Sequence, residues 1–248
     1  MNDITPGKTA AIVTGASGGI GRAIAERLAA DGFGVVVHYA GNRAKADEVV
    51  GAIVAAGGRA IAVAADVADE TQVAGLYQAA SDAFGGVAVV VNSAGIMKLA
   101  PLADMAAADF DRIVATNLRG TFLMMSAAAR HLGSGGRFIA VTTSVIALGL
   151  PGYGAYIASK AGVEGLVKVF ANELRGRNIT VNAVAPGPVA TALFFEGKSE
   201  ERVAQMARMP PLERLGQPED ISGVASFLAG PDGAWVNAQV LRANGGFA

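Results

Sequence analysis

The chain contains no cysteine, which excludes disulfides, thiolate nucleophiles and cysteine-based metal sites from the outset. Histidine is nearly as scarce. His38 and His131 lie far apart with no clustered carboxylates around them, so no metal is expected. Charge is sparse as well: charged residues make up 17%, and 20 Lys and Arg against 21 Asp and Glu leave a formal charge of −1. Without a basic field there is nothing to draw nucleic acid or an anionic lipid surface, and neither is expected as a partner. The longest uncharged stretch, residues 138–159, is interrupted by Gly149, Pro151, Gly152 and Gly154 and carries several hydroxyls, so it reads as strand, loop and helix start and not as a membrane span. The opening MNDITPGKTAAIVTG has no basic region followed by an apolar run; no secretory leader is expected, and the expected location is the cytoplasm.

What the chain has in abundance is small and apolar. Hydrophobic residues are 52% of its 248 residues, with 33 Gly and 51 Ala, which excludes a disordered chain; the glycines do not recur at every third position, which excludes a collagen-like one. Short runs rich in Val and Ile alternate with longer segments of helical period, the pattern of βαβ units around a parallel sheet buried on both faces. Strands are expected at 9–14, 34–38, 60–64, 87–91, 138–142, 180–184 and 239–242, and helices near 19–31, 43–56, 70–84, 103–130, 153–175 and 218–229. No linker, charge block or low-complexity tract divides the chain, so one domain over 1–248 is expected. Residues 186–217 break the β/α rhythm. They are bracketed by Pro186, Pro188, Pro210 and Pro211, and a lid or binding loop is expected there.

Two local patterns carry chemistry. In TAAIVTGASGGIGRAIAERLAADG the glycines Gly15, Gly19 and Gly21 form a G-x-x-x-G-x-G turn, joined by Gly18, between a strand and a helix whose Ile20, Ala23, Ile24 and Leu28 fall at helical spacing. Glycines permit a tight turn and let a pyrophosphate approach a helix N-terminus, where free N–H groups and the helix dipole favour anions. No Lys-Ser/Thr follows, so this is not a triphosphate loop. The second pattern is GYGAYIASKAG, in which Tyr156 and Lys160 are four apart; on a helix their side chains share a face, about 5–6 Å apart at Cβ. A phenol with pKa about 10 is a poor acid or base at neutral pH, and a neighbouring ammonium lowers that value, so Tyr156 is a candidate general acid/base. Thr142, Thr143 and Ser144 stand upstream at the end of an apolar run, where a hydroxyl can bond a substrate oxygen.

TGASGGIG (14–21), Asp66-Val67, NSAG (92–95), Asn117, the hydroxyls before Val145, YIASK (156–160) and APGPVAT (185–191), in this order, resemble the short-chain dehydrogenase/reductase family over essentially the whole chain. The resemblance implies a Rossmann-type, doubly wound α/β sheet of about seven parallel strands with helices on both faces. It also implies hydride transfer between NAD(H) or NADP(H) and a carbonyl or alcohol carbon. Carried over, Tyr156 is the acid/base; Lys160 lowers its pKa and bonds the nicotinamide ribose; Ser144 orients the substrate carbonyl; Asn117 holds a water that relays protons to Lys160. The cofactor would lie along Gly15, Ser17, Gly18, Gly19, Ile20 and Gly21, with Asp66 and Val67 at the adenine, Asn92, Ala94 and Gly95 on the ribose side, and Pro186, Gly187, Val189 and Thr191 at the nicotinamide amide. Two departures stand out. Ser93 replaces the family's more common Asn. The family's catalytic hydroxyl most often lies 13 residues before the tyrosine, which lands on Thr143; a loop one residue shorter puts it on Ser144, the expected residue.

NAD-preferring members commonly carry an acid at the end of the second strand. Here Tyr39 stands in that place, followed by Asn42 and Arg43, and NADP(H) is expected. The substrate is expected to be a small aldehyde, ketone or 3-oxoacyl compound, or the matching alcohol. Leu150 and Tyr153 are expected to face its pocket, and Leu193, Phe194, Phe195, Met206 and Met209 to form the apolar face of the lid. The resemblance is strongest to aldehyde/ketone-reductase-like and 3-oxoacyl-carrier-protein-reductase-like members. It implies a homo-oligomer, tetramer or dimer, with Trp235 packed either at an interface or in the core. The alternative from another class is a non-catalytic NADP(H)-binding sensor or scaffold, which would have no need of Tyr156, Lys160, Asn117 and a nearby hydroxyl.

Overall fold

The computed structural model describes residues 9–248; residues 1–8, where the reading of a missing leader begins, lie outside the described residues. Among the described residues seven strands form one sheet: β1 (Ala10–Thr14), β2 (Gly34–Tyr39), β3 (Arg59–Ala64), β4 (Val87–Asn92), β5 (Leu132–Val141), β6 (Thr180–Pro186) and β7 (Val240–Ala243). Their order is β3-β2-β1-β4-β5-β6-β7 and every pair is parallel. β1, β2, β4 and β6 are buried along their whole length, as continuous Val/Ile/Ala runs in a sheet covered on both faces should be. The edge strand β3 is only half-buried.

The helices that follow the first strands are α1 (Gly19–Ala30), α2 (Arg43–Ala55) and α3 (Glu70–Phe84); later come α4 (Ala107–Val114), α5 (Gly120–His131), α6 (Gly154–Glu173), α7 (Ala192–Phe195), α8 (Glu200–Ala207) and α9 (Pro218–Ala229). One face of the sheet is covered by α3, α5 and α6 through Leu76, Tyr77, Met124, Val167 and Phe170 against Ile12 and Phe138. The other is covered by α1, α2 and α9 through Ile24, Leu28, Val49, Ile53, Ile221 and Leu228. Each such side chain contributes about 1.5–3 kcal/mol by leaving water. Where α1 packs on α9 the buried residues include Ala25, Ala29, Ala225 and Ala229, which accounts for part of the alanine as close helix contact. No helix among the described residues is long and apolar enough to cross a membrane.

The chain builds β1 to β3 outward on one side, then crosses back to place β4 against β1 and continues on the other side. Crossovers therefore leave in opposite directions at the C-terminal ends of β1 and β4, where an α/β sheet opens a crevice. Register puts Thr14 beside Asn92 at its floor.

Three elements differ from expectation. The helix expected over 103–130 is two helices joined by a π-turn at Ala115–Arg119, closed by the Gly120 N–H on the Ala115 carbonyl; helix-forming residues read the same whether the turn is α or π. β5 begins at Leu132, six residues ahead of the apolar run at 138, because Gly133, Gly135 and Gly136 carry no side-chain signal of a strand. The lid holds α7 and α8, and a Val189–Gly216 bridge closes its base.

Tyr77 ties the α3 side of the core to α5: its hydroxyl donates to the Met124 carbonyl at 2.7 Å, fully buried. Tyr77→Phe is expected to lower unfolding free energy by about 1 kcal/mol with an unchanged denaturant slope, measured by urea titration.

Candidate active site

The crevice is shaped first by the turn after β1. Gly15 has φ +65°, and a Cβ there would stand 3.0 Å from the Ala94 Cα, so both the conformation and the approach of the β4 loop require glycine. A Cβ on Gly21 would lie 2.3 Å from the Gly15 carbonyl oxygen, so α1 can start directly against the turn only with glycine at that position. The N-cap of α1, Gly18, offers no side chain to the first-turn N–H groups, and the space over it is open. Uncapped N–H groups at the positive end of a helix dipole, with no acidic residue in the first turn, suit a pyrophosphate. Gly15, Ser17, Gly18, Gly19, Ile20 and Gly21 all line a cavity of about 380 Å³.

A residue without an assigned role in the sequence holds this turn in place. His38, at the end of β2, accepts the Gly15 N–H on Nδ1 at 3.0 Å and reaches the Ala65 carbonyl with Nε2 at 2.9 Å, which fixes its neutral tautomer with the proton on Nε2. Burial lowers its pKa and keeps it neutral. Its only signal in the sequence is a lone polar side chain inside an apolar strand.

The other expected cofactor residues divide into two groups. Ala94, Gly95, Pro186, Gly187, Val189 and Thr191 line the same cavity, on the walls after β4 and β6. Asn92, Tyr39, Asn42, Arg43, Asp66 and Val67 do not. Asn92 is buried beneath, accepting from Thr14 Oγ1 at 2.9 Å and donating to Thr121 Oγ1 at 2.7 Å. Tyr39 is buried at the end of β2; Asn42 caps α2 by accepting from Lys45 N; Arg43 begins α2 with its side chain 77% exposed, paired to Asp47 at 3.2 Å. Asp66 is exposed after β3, and Val67 packs where a Cβ on Gly120 would stand.

α6 carries Tyr156 and Lys160 onto the cavity wall one turn apart. The Tyr156 side chain is half-buried on the cavity wall, and the desolvation of its phenol pushes its pKa up to about 12 even though the neighbouring Thr143 hydroxyl pulls the other way. Lys160 is 4% exposed, donates to the Val141 carbonyl at 2.7 Å and sits 6.0 Å from the centre of the Tyr156 ring. Burial brings it down to about 8. The lysine does not depress the tyrosine as expected: desolvation dominates the Tyr156 value, and at neutral pH Tyr156 holds its proton.

Asn117 stands in the π-turn, fully buried. Its Oδ1 accepts from Ile96 N at 2.9 Å, while Nδ2 donates to the Ile96 carbonyl at 2.9 Å and to Ser159 Oγ at 3.1 Å, so it ties the loop after β4 to α6. Gly95 lies between: a Cβ there would be 3.3 Å from both Asn117 Oδ1 and Lys160 Nζ.

Ser144, expected to orient the substrate carbonyl, points elsewhere. Its Oγ donates to the Ala185 carbonyl at 2.8 Å and accepts from Asn244 Nδ2 at 2.9 Å, and it does not line the cavity. Thr143 does, and its hydroxyl is the one that bears on Tyr156. The backbone at Thr143 is extended, so neighbouring side chains point to opposite sides, and only one of the two can face the cavity.

Beyond Tyr156 the cavity is walled by Met97, Val145, Tyr153, Leu193, Phe194 and Met206. Phe195 and Met209, expected on the apolar face of the lid, are exposed instead and do not line it, and Leu150, expected to face the pocket, does not line it either but packs against the cluster of Val145, Tyr153 and Phe247. Phe247, which sequence reasoning passed over, lines it too.

The family model described as Enoyl-(Acyl carrier protein) reductase matches residues 15–248. The chain is 48% identical over 250 residues to a short-chain type dehydrogenase/reductase of Picea abies, covering 97% of this chain and 92% of that one. It is 45% identical to a chloroplastic NADPH-dependent aldehyde reductase-like protein of Arabidopsis thaliana, covering 96% and 93%. Among solved structures, a short chain dehydrogenase from Burkholderia cenocepacia in complex with NADP superposes with a TM-score of 0.92 at 36% identity over 98% of each chain.

The folded chain releases the Lys160 proton near pH 8, whereas an unfolded chain keeps it to the ordinary lysine value. Between those values the unfolded state binds more protons, so this residue's contribution to stability rises with pH. The melting temperature of the wild type relative to Lys160→Met is expected to increase from about pH 7 to about pH 9.5. A difference that stays flat across that range contradicts the assignment.

Proposed function

The chain belongs to the short-chain dehydrogenase/reductase family, a family of oxidoreductases, and from that premise we propose that it is an NADP(H)-dependent reductase of aldehydes or ketones with Tyr156 as its general acid. The observation that carries this reading is a half-buried, protonated phenol on the same cavity wall as a buried ammonium, in the cavity that an uncapped glycine-turned helix N-terminus also lines. Residues 9–248 act as one dinucleotide-binding domain, with 186–217 as its lid.

Gly15 to Gly21 and Pro186 to Thr191 would hold the dinucleotide, which when bound would supply a hydride to the carbonyl carbon. Thr143 donates a hydrogen bond to the carbonyl oxygen and sets its orientation toward Tyr156. Tyr156 gives its proton to that oxygen as the carbonyl π bond breaks, and the oxygen becomes a hydroxyl. Lys160 stabilises the phenolate left behind and, with a pKa near 8, replaces its proton. Asn117, beside Gly95 and Lys160, would hold a relaying water on the lone pair its Oδ1 has left.

NADP(H) over NAD(H) is supported by the missing acid at Tyr39 and by Arg43. An exposed i,i+4 pair such as Arg43–Asp47 is worth about 0–1 kcal/mol, so the guanidinium is free to turn to a 2′-phosphate. The names of the Arabidopsis and Burkholderia proteins agree. The apolar wall around Tyr153 and Phe194 favours a carbonyl with an apolar substituent. We read the chain as a homo-oligomer because Phe122, Val169 and Trp235 are left on its surface; Trp235 is 99% exposed, which removes a core role for it.

The test follows NADPH absorbance across aldehydes, diketones and 3-oxoacyl esters. Tyr156→Phe is expected to lose on the order of 10²–10⁴ in kcat/KM. Thr143→Ala is expected to lose roughly 10²-fold in kcat, with Ser144→Ala losing much less. Turnover that survives Tyr156→Phe overturns the mechanism, and tight NADPH binding without turnover on any substrate returns the sensor reading. In the same assay NADPH is expected to outperform NADH in kcat/KM, and a preference for NADH overturns the cofactor assignment.

A further inference from the structure

After β7 the chain turns back beneath the lid. Gly246 has φ +87°, and a Cβ there would stand 2.9 Å from the Pro211 ring, so the segment passes the lid at close quarters. Asn244 organises the turn. Its Nδ2 donates to Ser144 Oγ and to the Ala248 carbonyl, both at 2.9 Å; its Oδ1 accepts from Gly246 N at 2.9 Å; its backbone carbonyl accepts from Phe247 N at 3.1 Å. Both amide donors and the acceptor are thus engaged. A Cβ on Gly187 would lie 2.9 Å from Asn244 Cα, so the segment is also pressed against the wall after β6. The outcome is that Phe247 is only 8% exposed and packs with Val145 and Tyr153 in the cavity that holds Tyr156.

We propose that Phe247 determines substrate specificity by forming one apolar wall for the carbonyl's substituent, and that Asn244, anchored on Ser144, is the positioning residue that seats it. This rests on the reductase reading of the same site. It gives Ser144 a role that fits its contacts: with one bond to the end of β6 and one to Asn244, its hydroxyl is the post of the clamp. The class of substrate it selects is a carbonyl bearing a flat or branched apolar group, benzaldehyde against propanal for example.

The experiment uses the full chain with NADPH. In Phe247→Ala, the ratio of kcat/KM for benzaldehyde to that for propanal is expected to fall about tenfold. Asn244→Ala shifts selectivity in the same direction. Asn244→Asp, which keeps the acceptor for Gly246 N and loses the donors to Ser144 and Ala248, does so to a smaller extent. Ser144→Ala moves KM for benzaldehyde more than kcat; an equal loss of kcat on both substrates makes Ser144 the orienting hydroxyl and overturns the clamp. Should Phe247→Ala melt early, Phe247→Leu retains an apolar filler and still shifts the benzaldehyde-to-propanal ratio. An unchanged ratio in a well-folded Phe247 variant overturns the proposal. If the wild type turns over neither of these nor any other carbonyl of the panel above, the reductase reading has failed on its own account. Calorimetric titration of benzaldehyde into the NADP⁺-loaded protein then decides this one, with a Kd about tenfold weaker in Phe247→Ala in its favour and equal values against it.

Discussion

The site depends on a chain of buried hydrogen bonds that runs from the end of β1 to the first turns of α6. Thr14 Oγ1 donates to Asn92, Asn92 to Thr121, and Thr121 Oγ1 to the Asn117 carbonyl at 2.6 Å. The Asn117 side chain goes on to Ile96 and to Ser159, whose Oγ donates to the Tyr156 carbonyl at 2.8 Å. Each link is worth about 1 kcal/mol net, but each group left unpaired in such a place costs about 1–3 kcal/mol, so the chain holds as a unit or not at all. It joins β1, β4, the π-turn and α6, the elements that carry the glycine turn on one side and the acid/base pair on the other. Thr14 Oγ1 also accepts the N–H groups of Ser93 and Ala94, which sets the loop from which Gly95 opens toward Lys160. The π-turn has a reason in this setting: the extra residue in its turn accompanies an Asn117 aimed at Ile96, and helix irregularities of this kind are common where a side chain has a job to do.

Around that chain the fold divides labour between the two halves of the sheet. β1 and β2 present the glycine turn, held from beneath by His38; β4, β5 and β6 present the chemistry and the far wall. The crossing between β1 and β4 makes the crevice. The lid and the residues after β7 close its substrate end with side chains that are almost all apolar, so variation there changes what fits without disturbing the polar chain below.

The sheet was legible in the sequence because strands buried on both faces must be nearly uniform runs of Val, Ile and Ala, and the glycine turn was legible because only glycine meets its close contacts. Tyr156 and Lys160 were legible as a helical i,i+4 pair. What escaped was set by contacts distant along the chain or by burial. Whether Thr143 or Ser144 faces the cavity is settled by strand alternation together with an anchor at Asn244, a hundred positions away. The roles of His38 and Phe247 exist only once β2 meets the glycine turn and the segment after β7 folds under the lid. The π-turn at Asn117 and the glycine-rich start of β5 have no composition of their own.

The reversal of the expected tyrosine shift bears on the chemistry the site favours. Desolvation lifts Tyr156 to about 12 and lowers Lys160 to about 8, so near neutral pH the resting site holds a neutral phenol beside an ammonium that has no carboxylate partner among the described residues. In the proposed reduction, loss of the phenolic proton to the carbonyl oxygen creates an anion next to the ammonium, within a cavity where opposite charges attract far more than in water. The interaction is therefore weak in the ground state and strong as the proton leaves, which is the condition for accelerating a step and not merely tightening binding. A lysine buried without a carboxylate destabilises the fold, and the same missing partner is what leaves its charge available to the phenolate.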